Sequence, residues 1–201
     1  MVTTTTTKIQ AVDIMLASIG EAPVSSLDDP TLGDVSIAES ILDETSVEIQ
    51  TKGLHCNTEI NYPLTANTDG EIEVPANVLS IDSSGTSAIT DVVQRGTRLY
   101  NRTDRSFTTF TGDLIVTMAL LLEFNELPQH VKRYITVKAA RRFQNRILGS
   151  QTLSGFTQND EQEALLYFEQ IEAQTQDYNV LEDNFSTRKI INRGVLRRAL
   201  R

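Results

Sequence analysis

Among its 201 residues the chain has one cysteine, two histidines and no tryptophan. A lone Cys56 excludes an intramolecular disulfide and suits folding in a reducing compartment. His55, His130 and Cys56 are too few for a His/Cys zinc site without distant carboxylates. His55 and Cys56 are neighbours, and on a strand they would point to opposite faces. Structural roles are expected for all three, with no metal and no other cofactor. Long apolar runs are missing too. The longest, "LIVTMALLLEF" (Leu114 to Phe124), is interrupted by Thr117 and falls short of the roughly 18 residues that cross a membrane. The opening "MVTTTTTK" lacks the apolar centre of a secretory signal and is expected to be an arm that orders late.

Signatures of catalysis are equally scarce. There is no Walker A pattern, no G-x-G-x-x-G and no G-x-S-x-G. Glu71 and Glu73 would share one strand face, the arrangement of a glycosidase pair. No aromatic cluster suited to a sugar accompanies them, so a solvated strand face is the expected role. No catalytic residue is expected, and the chain is not expected to be an enzyme.

Positive charge is scarce in one half of the chain. Residues 1–94 hold 2 basic and 15 acidic side chains, whereas residues 95–201 hold 16 basic and 12 acidic ones, for a formal net charge of -9. A surface field divided in this way bears on association more than on fold. The cations concentrate in three places. "RGTRLYNRTDR" interleaves Arg95, Arg98, Arg102 and Arg105 with Tyr100. That composition suits phosphate contacts with stacking, or contacts to another subunit or partner. Lys138 and Arg142, with Arg141, lie beside the apolar stripe of a helix and are further candidates for such contacts. "FSTRKIINRGVLRRALR", the last 17 residues, carries six cations and no acid. There Arg188, Lys189, Arg193, Arg197 and Arg198 alternate with Ile190, Ile191, Val195 and Leu196. Such a basic amphipathic segment is expected to settle into a groove on a partner protein. The sequence pI of about 4.7 argues against a dedicated DNA binder.

Apolar spacing predicts helices over Ile9 to Ile19, about Asp34 to Lys52, and Pro128 to Gly149. A further helix is expected to start at Asn159 or Asp160, after a Ser/Thr/Gly-rich loop over residues 150–157. Its predicted inner face holds Ala164, Tyr167, Phe168, Ile171, Tyr178 and Leu181. Between the second and third helices, "GEIEVP", "NVLSID" and "LIVTMAL" read as strands and "TDG", "DSSG", "QRG" and "TGD" as turns. The expected class is α+β: a bundle of about four helices with a small inserted antiparallel β domain and extended termini. The expected division is 1–53 for the first helices, 54–124 for the β insertion, 125–184 for the later helices and 185–201 for a basic docking tail.

Five stretches, in order, carry a family resemblance. They are "AVDIMLASIGEAPVSSL"; Ile41-Leu42 followed by Gln50, Gly53, Asn57 and Glu59; "RGTRLYNRTDRSF"; "LPQHVKRYITVKAARRFQNRILGS"; and an acidic helix leading to "DYNVLEDN". Together they resemble tail tubular protein A, the ring-shaped adaptor of short-tailed bacteriophages (podophages). The chain departs from that pattern after Gly53, where Leu54-His55-Cys56 replaces a frequent aromatic. Its C-terminal tail is also longer and more basic.

The resemblance implies a structural virion protein of the tail, made in the host cytoplasm, with no membrane association. It implies a homo-oligomer, a dodecameric ring serving as head-tail connector between the portal protein and the tail nozzle (tail tubular protein B). It also implies a surface for tail fibres and a channel through which DNA passes at genome ejection without specific binding. The basic tail would then dock on the portal. Two other classes stay open: a nucleic-acid-interacting factor using Arg95–Arg105 and the C-terminal tail, and a glycan hydrolase using Glu71 and Glu73.

Overall fold

The structure, a computed structural model, describes residues 5–27, 33–149 and 151–175. The expected tail of residues 185–201 lies outside them, as do Tyr178 and Leu181.

Four helices frame the molecule: α1 (Lys8–Ala17), α2 (Gly33–Gln50), α3 (Gln129–Ile147) and α4 (Gln151–Thr175). Thr7 and Gln10 cap the start of α1 reciprocally, side chain to backbone in both directions. Gly20, at φ 88°, ends it by letting the Glu21 N–H return to the Leu16 carbonyl. The expected stripes are buried: Val12 and Leu16 on α1; Ala38, Ile41, Leu42 and Ile49 on α2; Val131, Ile135, Ala139 and Phe143 on α3. Helix α3 is the central member, packed against α1, α2 and α4. Each large side chain withdrawn from water here stabilises by about 1.5–3 kcal/mol.

Two expectations for the helices need correction. Of the expected loop, residues 151–157 are instead the first two turns of α4, which begins at Gln151. On α4, Ala164 and Phe168 are buried as expected, but Tyr167 is half exposed and Glu172 takes an inner place. The Thr-rich arm is not free throughout: Thr6 exchanges two hydrogen bonds with Gln129, and Lys132 Nζ donates to Thr5 Oγ1.

All five strands lie between α2 and α3: β1 (Thr58–Thr65), β2 (Val78–Ser83), β3 (Val92–Arg95), β4 (Arg98–Asn101) and β5 (Asp113–Leu120). They form two antiparallel sheets, one ordered β1-β5-β2 and the other the β3–β4 hairpin. "GEIEVP" is not a sheet strand. It runs beside the hairpin through one bridge, Glu73 with Arg98, and through Leu99 N–H to Ile72 O and Val74 N–H to Thr97 O. The alternation still holds there, with Ile72 and Val74 buried. His55 and Cys56 occupy a 3-10 turn, His55–Asn57, rather than a strand. The β region has its own apolar cluster, built on Ile72, Leu99, Val116 and Met118, distinct from the cluster of the bundle.

The two chain crossings between bundle and strands are fastened by buried amides. The Gln50 side chain accepts from Leu122 N–H at 2.8 Å and donates to Leu122 O at 3.0 Å. The Asn57 side chain donates to Gln50 O at 3.0 Å and Leu120 O at 2.7 Å, and accepts from Leu54 N–H. Both residues are almost wholly buried, and these bonds satisfy backbone groups that are themselves buried or half-buried.

Candidate functional site

Of the exposed cations of "RGTRLYNRTDR", Arg95 and Arg98 stand on the β3–β4 hairpin and Arg102 and Arg105 on the loop that follows it. Gly96, at φ 65°, permits the two-residue turn Gly96–Thr97 that joins its strands. Alternation puts Val92, Leu99 and Asn101 inside, leaving Val93, Arg95, Arg98 and Tyr100 on the outer face. Arg95 and Arg98 are direct cross-strand partners. Two like charges so placed repel, and the surroundings relieve them separately. The Arg95 guanidinium lies 3.7 Å from the Tyr100 ring centroid, and that of Arg98 lies 4.7 Å from the Phe107 centroid. The two rings meet edge-on at 5.0 Å. Arg98 also donates to Glu71 Oε1 at 2.6 Å. The result is an ordered array of guanidinium, ring, ring and guanidinium.

The following loop is organised by Asn101. Its Oδ1 accepts from the Thr103 and Asp104 N–H groups, and its Nδ2 donates to Asp104. Arg105 then adopts φ 56°, a left-handed conformation unusual for arginine. Arg102 pairs with Asp91 at 3.2 Å. Among the described residues neither Arg95 nor Arg105 meets a carboxylate. Arg95 already covers one face of Tyr100, so that face is closed to the base stacking a single-strand binder uses.

The helical candidates are placed differently. Lys138 and Arg142 of α3 both bind Glu48 of α2, Lys138 at 2.8 Å, and Arg141 binds Glu161 of α4 at 2.6 Å. The hydrogen bond from Lys138 holds the Glu48 carboxyl below the usual range; partial burial opposes it, and Arg142 adds to the lowering. These cations join neighbouring helices within the chain, and the structure does not bring them near the hairpin group in one constellation.

Where α4 meets the bundle–strand junction, Glu172 accepts from His55 N–H at 3.1 Å and contacts His130 Nε2 at 2.9 Å. Burial pushes the nearby Cys56 thiol up to about 11, and Glu172 adds to the rise. Such a thiol is a poor nucleophile at neutral pH. Beside His130, an open cleft of about 480 Å³ is lined by Gln129, Arg133, Glu163, Tyr167 and Ile171. Among the described residues no group of three or more His, Cys, Asp or Glu side chains converges as metal ligands would. Glu71, the member of the acidic pair with a partner, is engaged by Arg98. Sequence reasoning did not single out Phe107, the second ring of the array. Its signal was the placement of an aromatic two residues after Arg105 in a basic, strand-rich segment.

The model of the tail tubular protein family matches residues 9–178. The chain belongs to that family. No curated protein matches it significantly. This tail tubular protein of podophages is therefore a structural component of the virion tail, assembled there with other tail proteins. No helix among the described residues is long and apolar enough to cross a membrane. The family match includes α1 to α4 and both sheets, so the hairpin array is part of the tail protein's own fold and not an appendage to it.

Proposed function

We propose that this tail protein is the head-to-tail adaptor: a ring, dodecameric by the resemblance, that joins the portal to the nozzle and extends the channel for DNA. The observation that carries this reading is the family match across nearly the whole chain, together with a hairpin region where Arg95 and Arg105 meet no carboxylate among the described residues. Residues 1–53 and 125–184 would supply the helical wall and residues 54–124 the part that projects toward neighbouring subunits, nozzle or fibres. The 185–201 segment, outside the described residues, would dock on the portal. The mechanism is assembly rather than catalysis, and DNA would pass through the lumen without specific binding.

Electron microscopy of the purified chain, alone and mixed with portal, tests the reading. Rings that cap the portal are expected; a chain that neither forms rings nor joins the portal would sink it. Truncation after Asn184 is expected to leave a folded protein that no longer completes DNA-filled heads. Normal completion by the truncated chain would remove the docking role of the tail.

A further inference from the structure

Helix α2 is the electrostatic counterpart of the hairpin. It carries five carboxylates (Asp34, Glu39, Asp43, Glu44 and Glu48) and no base. Lys8 engages Glu39 and Asp43, while Lys138 and Arg142 engage Glu48. Asp34 and Glu44 are exposed and have no ion pair among the described residues. Glu44 stands in one helical stripe with Ile37 and Val47, two apolar side chains left partly open to solvent, at 37% and 38% exposure. The hairpin region offers the reverse combination: Arg95 and Arg105, without a carboxylate partner among the described residues, and the half-buried rings Tyr100 and Phe107.

Among the described residues no ion pair or hydrogen bond joins these two surfaces within one chain. Helix α2 packs on α1 and α3, and β3 packs on β2 and β4. We infer that the Arg95/Tyr100 hairpin face of one copy docks on the exposed Glu44 stripe of α2 in the next copy. This inference rests on the proposed ring and adds the pair of surfaces that would close it. The two faces are different and belong to opposite parts of the chain, so the contact is head-to-tail. Repetition of such a contact closes a ring if the rotation allows. A guanidinium held over a ring, as Arg95 is over Tyr100, loses little freedom on meeting a carboxylate, which makes it suited to a repeated contact. The two apolar residues beside Glu44 supply the drier surface against which the rings would rest. A nucleic acid as the partner of the hairpin is a competing outcome, and α2 has no part in it.

The test is charge reversal on each face and on both. Arg95→Glu, Glu44→Lys and the double variant would each be the sole source of the chain in tails assembled in host cells. Thermal unfolding of each purified variant would establish that it folds. The readout is the number of copies of the chain per tail. Each single reversal should lower tail incorporation on the order of tenfold or more, because it sets like charges against each other. The double variant restores opposite signs across every contact and should return to about wild-type incorporation. Singles that assemble like wild type would overturn the pairing, as would a folded double variant that stays as defective as the singles. Loss with Arg95→Glu alone, with Glu44→Lys neutral, would overturn it in favour of another anionic partner. A wild-type chain present at one copy per tail would instead overturn the ring reading itself, so the two failures are distinct.

Discussion

The bundle and the hairpin region both contain basic side chains, yet part of the hairpin's set is used differently. In the bundle each of Lys8, Lys138, Arg141 and Arg142 reaches a carboxylate on a neighbouring helix. In the hairpin, Arg95 and Arg105 find none among the described residues, and Arg95 is steadied by a ring instead. The helical cations serve the internal fit of the protein. Arg95 and Arg105 are left electrically available, although Arg98 and Arg102 beside them are paired with Glu71 and Asp91. An acidic protein can thus carry a local basic surface without basic character overall.

The comparison breaks most visibly where the two regions join. Gln50→Leu removes both bonds to Leu122 and leaves a half-buried N–H and C=O without these partners, so unfolding free energy should fall by about 1–3 kcal/mol. Urea denaturation would measure it, and a loss near zero would mean that the two regions do not depend on this junction. A smaller effect is expected from Glu48→Gln. Its carboxylate is largely exposed, so the loss near neutral pH should be at most about 1 kcal/mol. Because its folded pKa lies below the ordinary value of 4.5, this contribution is present above 4.5 and disappears as pH falls through the folded value. Wild-type and Glu48→Gln unfolding midpoints should therefore converge in acid; a gap that widens there would contradict the pairing. Smallest of all is Arg95→Ala, which should change stability by no more than about 0.5 kcal/mol while weakening assembly. A large thermal destabilisation would make Arg95 a fold residue like the helical cations and erase the contrast.

How far the fold was legible depended on whether burial followed a simple period. The stripes of α1, α2 and α3 are apolar at helical spacing, and their positions matched the structure closely. The start of α4 was hidden because Thr152, Gly155 and Thr157 are weak helix formers. Tertiary packing of the same helix on α3 overrides that weakness. Strand β1 was hidden for another reason: its pairing shifts between Glu59 and Tyr62, Asn61 is at φ 57°, and Pro63 sits in an edge strand. A bulged edge strand does not alternate cleanly. The hairpin was legible as a basic segment with a ring, but not as strands, since its outward residues are the conspicuous ones. Gln50 and Asn57 carried no signal of burial at all, because polar side chains are placed inside by hydrogen-bond geometry that no hydropathy pattern records.

The same two amides have a mechanical consequence. The chain leaves the bundle near Gln50 and returns near Leu122, and one buried side chain ties these points to each other. A load applied to the strands therefore arrives at the helices along both crossings together, shared among bonds loaded in parallel. Such a joint resists prying far better than a single linker would. For a protein assembled with other tail proteins, the strands and the helices would move as one stiff piece, and any bending would have to occur at its contacts with them.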